Sequence, residues 1–338
     1  MATRLDKLHA RRIDPSLFTV KLLNESWRSI QQSESVKYVV GAMQPIDPDY
    51  TANTFAQGDR VKNQLEKTLS PACEYEYQGS TTNDTHIKAA SDIDLLVLTG
   101  KYWGIQPPQV PTSPYKGDPI QDMVTLRSDA EKILRGAFPA ATIDTSGSKS
   151  ISLAGGSLTR KVDVVPANWL QTVKYTETKE KFHRGVEVFD SHSKIRIANT
   201  PFLHNQWIEY QDRQTQGGLR KAARLLKSLK YDSEGIELSS YDLVSIAFNI
   251  PAASINRPKG DELPILNACH EYVTLLSQNP TLRDSINVPD GHRKVFAAGH
   301  ATAKGLEQLK AELDKLSMDV LRENQRSFRK LSEARVAY

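Results

Sequence analysis

Cysteine is almost missing from this chain: of 338 residues only Cys73 and Cys269 are cysteines, with no C-x-x-C pair and no Cys/His cluster at metal-ligand spacing. That excludes a disulfide framework and a structural zinc, and leaves two small buried hydrophobes as the expected role of both. Long apolar runs are missing as well. No stretch approaches the ~18 apolar residues of a membrane-crossing helix, and the N-terminal MATRLDKLHARRID lacks the apolar centre of a signal peptide. The expectation is a cytoplasmic protein with no membrane partner. Neither charge sign dominates: 44 Lys and Arg stand against 40 Asp and Glu, a net charge of +4. Such a mild excess suits an anionic small substrate and does not call for a nucleic-acid partner. Internal repeats and low-complexity tracts are absent, and 39% hydrophobic with 25% charged residues is the balance of a globular enzyme of one large or two ordinary domains.

What is present begins with helical patterning. Asp14-Pro15 offers an N-cap and a first-turn proline ahead of Leu17, Val20, Leu23, Trp27 and Ile30 at helical spacing. Residues 41–49 break the pattern, and a second helix is expected over 51–69 with Phe55, Val61, Leu65 and Leu69 inward. Strands follow at Cys73–Gln78 and 91–99. The segment 100–119 carries Pro107, Pro108, Pro111, Pro114 and Pro119, too many for a central strand, and reads as a long loop. Asp118-Pro119 starts another helix, strands are expected at 141–144, 149–153 and 160–165, and Gly185–Asp190 with 194–197 forms a hairpin. From Pro201 onward the periodicity is helical, over Pro201–Gln214, 218–231, 239–249, 262–276 and 303–329.

The chemistry concentrates in residues 78–99, QGSTTNDTHIKAASDIDLLVLT. The strand period of two sends Asp92 and Asp94 to one face while Ile93 points to the core. Two like charges on one face repel unless a cation lies between them, and Asp oxygens are the hard ligands that Mg²⁺ prefers. Gly79-Ser80, just upstream, offers backbone N–H groups and a hydroxyl to a phosphate. A third acid, Asp163 in Lys161-Val162-Asp163-Val164-Val165-Pro166-Ala167, lies on another short apolar strand. Were that strand to lie beside the first, three carboxylates could hold two Mg²⁺ ions for an in-line displacement with release of pyrophosphate. Further on, 218–230 reads as a buried helix with Arg220, Arg224 and Lys227 on one face, followed by Ser239-Ser240-Tyr241, where a serine can cap the next helix.

The set Gly-Ser, Asp-x-Asp and a later single Asp resembles the DNA polymerase beta-like nucleotidyltransferase superfamily. The Lys227 helix followed by Ser240-Tyr241, together with Val164-Val165-Pro166-Ala167 and Pro201-x-x-His204, resembles its cGAS/DncV-like branch, the bacterial CD-NTases. The resemblance covers most of the chain, from about Tyr75 to Leu243. It implies an α+β, two-lobed fold: a mixed β-sheet with flanking helices over residues 1–200 and a C-terminal helical lobe over 201–338, with the active site in the cleft. It implies Asp92, Asp94 and Asp163 as catalytic metal ligands for Mg²⁺ or Mn²⁺. Gly79, Ser80, Lys227 and Ser240 then hold the triphosphate, and Tyr241 stacks on the base. The implied activity joins NTPs, ATP among them, into a cyclic di- or trinucleotide second messenger that a downstream effector binds in anti-phage signalling. The animal DNA sensor's zinc insertion is absent, so zinc-dependent DNA sensing is not expected. Two rivals stay open at this point: transfer of a nucleotide to an RNA end, protein or small molecule, and a catalytically silent nucleotide sensor.

Overall fold

The computed structural model describes residues 2–14 and 32–336, with side chains to residue 325. Helices α1 (Arg4–Arg11), α2 (Glu34–Met43) and α3 (Pro48–Thr68) precede strands β1 (Cys73–Gln78) and β2 (Ile93–Ile105). Then come α4 (Pro119–Ala137), β3 (Thr142–Asp144), β4 (Ile151–Gly155), β5 (Leu158–Gln171), α5 (Val173–Thr178) and the hairpin of β6 (Gly185–Asp190) and β7 (Ile195–Asn199). The remainder is helical: α6 (Pro201–Gln214), α7 (Gly218–Asp232), α8 (Ser240–Phe248), α9 (Ala252–Ile255), α10 (Leu263–Gln278), α11 (Pro280–Ser285) and α12 (Ala303–Val336). The expected helix behind Asp14-Pro15 lies outside the described residues. No helix among those described is long and apolar enough to cross a membrane.

The chain divides into two compact units, one of residues 47–84 and 89–207 and the other of residues 1–46, 85–88 and 208–338. The expected partition falls at residue 200. Residues 1–46 do not join the sheet unit, because the apolar faces of α1 and α2 (Leu8, Val36, Tyr38, Val39, Met43) are part of the helical unit's core. A buried ion pair between Arg11 and Asp232 fastens α1 to α7, and Asp232 also accepts from the Tyr38 hydroxyl at 2.8 Å.

In the sheet unit the strands run β1-β2-β5-β4-β3, and β6 joins β5 and β7 beyond it. Only β2 and β5 are parallel; the other pairings are antiparallel. Alternation then sorts the side chains. Ile93, Leu95, Val97, Val162 and Val164 pack on one face against Val61 and Leu65 of α3 and Met123, Leu126 and Leu134 of α4. Leu96, Leu98, Val165 and Ala167 belong to the other face, with Trp169, Val186 and Val188. Further towards the N-terminus of the same two runs, the residues in phase with that second face are Asp92, Asp94 and Asp163.

Three expectations are adjusted. Strand β2 does not stop at Thr99 but runs to Ile105, because after a register shift Trp103 to Ile105 pair with Trp169 to Gln171, and the prolines begin only at 107. β5 likewise continues through Pro166 to Gln171. Its β4 pairing ends at Val164 and its β6 pairing begins at Ala167, so the missing N–H falls where that edge changes partner. Gly41 does not break a helix, since it lies buried in the last turn of α2, and α3 starts earlier than expected, with Asp47 capping the N–H of Asp49 and Pro48 in the first turn.

Candidate active site

Because β2 and β5 are parallel and in register, Asp94 is paired directly with Asp163, and Asp92 lies two residues back on the same face. The mixed sheet thus assembles the three expected acids from strands some seventy residues apart in sequence. Their surroundings differ. The Asp92 side chain is 60% exposed and that of Asp163 only 14%. Burial, followed by the negative charges of Asp163 and Asp92, pushes the Asp94 carboxyl up to about 6, with Lys161 pulling the other way.

Lys161 is the neighbour the sequence reading did not single out. Its ammonium is 2.8 Å from Asp163 Oδ2 and 3.9 Å from Asp92 Oδ2. Burial works against its charge, but the Asp163 hydrogen bond and the three carboxylates outweigh that and hold its pKa above the ordinary lysine value. The signal was available, since a residue two before Asp163 shares its face. Ser152, whose register partner on β5 is Asp163, donates its hydroxyl to Asp163 Oδ1. That contact needed the antiparallel β4–β5 register and no sequence spacing announced it. With the side chains so arranged, no group of three His, Cys, Asp or Glu residues among those described forms a ready metal cage. The donor chemistry nevertheless fits a hard divalent cation: oxygen-only ligands, mutually repelling, one of them half-buried and pushed toward protonation.

The turn leaving β1 completes this part of the site. Gln78 pairs with Asp94, so Gly79 follows immediately beside the acid. Gly79 has φ +88°, and a Cβ there would lie 2.4 Å from Asp94 Oδ2. Only glycine allows both the backbone conformation and the carboxylate's position. Ser80 is half-buried next to it. The loop is tied down by Thr82, whose N–H and hydroxyl both donate to Gly79 O (3.2 and 2.8 Å), and by Thr81, whose hydroxyl donates to Asp92 O at 3.2 Å. Asn205 of α6 donates to the Thr82 hydroxyl at 2.9 Å and accepts from Asn83 at 3.0 Å, and the expected His204 is buried beside it.

Lys227, Ser240 and Tyr241 belong to the helical unit, where α7 packs on α8. The basic stripe of α7 is not solvated. Arg220 is paired with Glu209 and with Asp212 at 2.9 Å, Arg224 is buried and donates to Met43 O at 2.7 Å, and Lys227, also buried, donates to Thr85 O at 2.6 Å. Burial, aided by the Arg224 charge, pushes the Lys227 ammonium down to about 7. Ser239 is the cap of α8, in a capping box with Asp242, which leaves Ser240 exposed in the first turn. Arg293 lies 5.2 Å over the Tyr241 ring, and the Tyr241 hydroxyl is 3.4 Å from Asp290.

No protein-family model matches the chain. Individual relatives do. A cyclic dinucleotide synthase CdnE of Yersinia aleksiciae is 38% identical over 317 residues, covering 89% of this chain and 81% of its own. A c-di-GMP synthase of a Lachnospiraceae bacterium is 31% identical over 277 residues, 74% of this chain and 79% of its own. Among solved structures, the STING-associated CdnE c-di-GMP synthase of Capnocytophaga granulosa superposes with a TM-score of 0.78 at 27% identity, over 94% of this chain and 98% of that one. An identity of 38% over 89% of this chain, on a mixed sheet that pairs the acids of two parallel strands, leaves one conclusion: the chain belongs to the CD-NTase nucleotidyltransferases, among the CdnE cyclic dinucleotide synthases.

Proposed function

We propose that this enzyme makes cyclic di-GMP from GTP in the cytoplasm, with a divalent metal as cofactor and with release of pyrophosphate. The carrying observation is the β2–β5 register that sets Asp94 beside Asp163; the choice of product is supported by the c-di-GMP synthases among its relatives. Asp92, Asp94 and Asp163 would hold two Mg²⁺ ions, or Mn²⁺ in their place. Ions held there would supply Lewis-acid activation of an attacking hydroxyl and counter-charge for the triphosphate. Asp163, steadied by Ser152, orients the attacking hydroxyl. Gly79 and Ser80 present N–H and hydroxyl donors to a phosphate, Lys227 and Ser240 grip the triphosphate, and Tyr241 stacks on the base. The product then acts on a downstream effector in anti-phage signalling, a reading supported by the STING association of the Capnocytophaga relative.

The test is mass spectrometry of the phosphatase-resistant product formed by purified protein, Mg²⁺ and an equal mixture of the four NTPs. Cyclic di-GMP is expected. A ring containing adenine, which would restore ATP as a substrate, or a pyrimidine, would correct the bases. A linear product, or label on a macromolecule, would remove the cyclase reading in favour of transfer to another acceptor.

Gly79→Ala probes the turn. The added methyl must displace the Asp94 carboxylate, and a misplacement on the order of 1 Å at a reacting centre lowers rates roughly 100-fold. The left-handed backbone adds a stability cost of about 1 kcal/mol, visible in thermal melts. A variant with near-normal turnover would show that Asp94 tolerates displacement.

A further inference from the structure

We propose that Lys161 is the resident counter-cation of the acid cluster and competes with the divalent metal for Asp92 and Asp163. The inference rests on the reading that these acids bind metal, and it concerns what they do when no metal is bound.

Strand geometry alone places Lys161 there. It is two residues before Asp163 on β5, hence on the same face, and β5 runs parallel to β2 with Ile93 beside Val162 and Asp94 beside Asp163. One step earlier, Lys161 comes level with Asp92. The four side chains form a square of three carboxylates and one ammonium, with Nζ 2.8 Å from Asp163 Oδ2 and 3.9 Å from Asp92 Oδ2. A lysine stem is long enough to carry its charge to solvent, and this side chain is 39% exposed, yet the ammonium is turned inward onto the acids. Three carboxylates on adjacent strands repel, and one positive charge among them offsets part of that repulsion. The same oxygens are the ones a divalent ion would take. A divalent ion entering among these acids meets an ammonium already on Asp163 Oδ2, and the repulsion between the two cations, with the carboxylate charge they must divide, lowers the metal affinity.

The sign of one measurement separates this from a bracing role. If Lys161 merely holds Asp163 in place, removing it leaves metal binding unchanged or weakens it. As a competitor, its removal tightens binding. Titration of the nucleotide-free protein with Mn²⁺ alone, followed by electron paramagnetic resonance, gives the dissociation constant directly. Lys161→Met is expected to bind Mn²⁺ roughly two- to fivefold tighter than the wild type, the range set by a partly exposed ion pair. Its melting temperature without metal should fall, and the Mn²⁺-induced rise should be larger. Lys161→Gln, which keeps a donor for Asp163 but not the charge, must also tighten binding and serves if the apolar variant does not fold. Lys161→Arg, which keeps the charge, should bind no tighter than the wild type. Unchanged or weaker Mn²⁺ binding in the folded Met or Gln variant overturns the proposal. Asp92→Asn with Asp94→Asn locates the fault: if that double variant binds Mn²⁺ like the wild type, the metal reading of the acids is itself wrong and the proposal falls with it. If it loses Mn²⁺ while the Lys161 variants gain nothing, only the competition is wrong.

Discussion

Asp94→Asn is expected to lower cyclic-dinucleotide formation by roughly 10³-fold or more, while making the metal-free protein more stable. The loss follows from removing the one acid of the cluster that pairs across β2 and β5 and lies against the Gly79 turn. The gain follows from the shift of the Asp94 carboxyl from 3.8 to about 6, caused by burial and by the charges of Asp163 and Asp92. A folded-state pKa raised above the unfolded value means that the folded protein holds a proton more readily between those two limits. Stability therefore falls as pH climbs through that window, and the penalty is fully present above about 6. Asparagine carries no such penalty, so the variant should gain about 1–3 kcal/mol at neutral pH, and the gain should vanish below the unfolded value of the acid. Thermal melts across that pH range, without and with Mg²⁺, check both halves. Added Mg²⁺ should raise the melting temperature of the wild type more than that of the variant. A variant less stable than the wild type at neutral pH would show that the carboxylates are not in conflict.

Lys227→Met should separate binding from stability in the same way, in the other unit. The Lys227 ammonium is buried beside Arg224, donates to a backbone carbonyl, and is pushed from 10.5 to about 7. For a base, a depressed folded pKa means that the unfolded chain binds more protons between those limits. Stability thus rises as pH climbs from about 7 towards 10.5, and the burial penalty is fully present below about 7. Methionine fills the space without a charge and is expected to stabilise the protein by roughly 1–4 kcal/mol at neutral pH. Nucleotide affinity should move the opposite way, weakening on the order of 10- to 100-fold, because a lost charge-assisted contact to phosphate is worth about 1.5–3 kcal/mol. A triphosphate reaching Lys227 should also draw a proton onto it. Above about pH 7 the calorimetric enthalpy of GTP binding to the wild type should depend on the buffer's ionisation heat, and in Lys227→Met that dependence should shrink. Unchanged GTP affinity would reduce Lys227 to a packing residue.

The two predictions draw on differently legible parts of the chain. The shared face of Asp92 and Asp94 could be read directly, because a strand repeats every two residues. Gly79-Ser80 was legible as a turn, but the demand for glycine came from the Asp94 carboxylate that a Cβ would strike. Lys161 shares the period of Asp163 and was overlooked because a lone lysine on a strand is usually solvated; only the parallel register with β2 put it among carboxylates. Ser152 carried no sequence signal. Helix starts were readable at Asp118-Pro119 and Ser239, where caps are local, whereas the continuation of β2 to Ile105 and of β5 past Pro166 depended on which strand came alongside.

By itself, then, the amino-acid order determined what local chemistry can encode: the periods of strands and helices, the caps, the shared face of Asp92 and Asp94, the Gly-Ser turn, and the kinship they imply. The tertiary structure decided what depends on partners distant in sequence. It brought Asp163 beside Asp94 and set Lys161 and Ser152 on the acids. It also buried Lys227 until its charge became conditional, and it assigned α1 and α2 to the helical unit. The physical reason is the same in each case, since burial and Coulomb interaction act across space between groups whose separation along the chain carries no information about their distance.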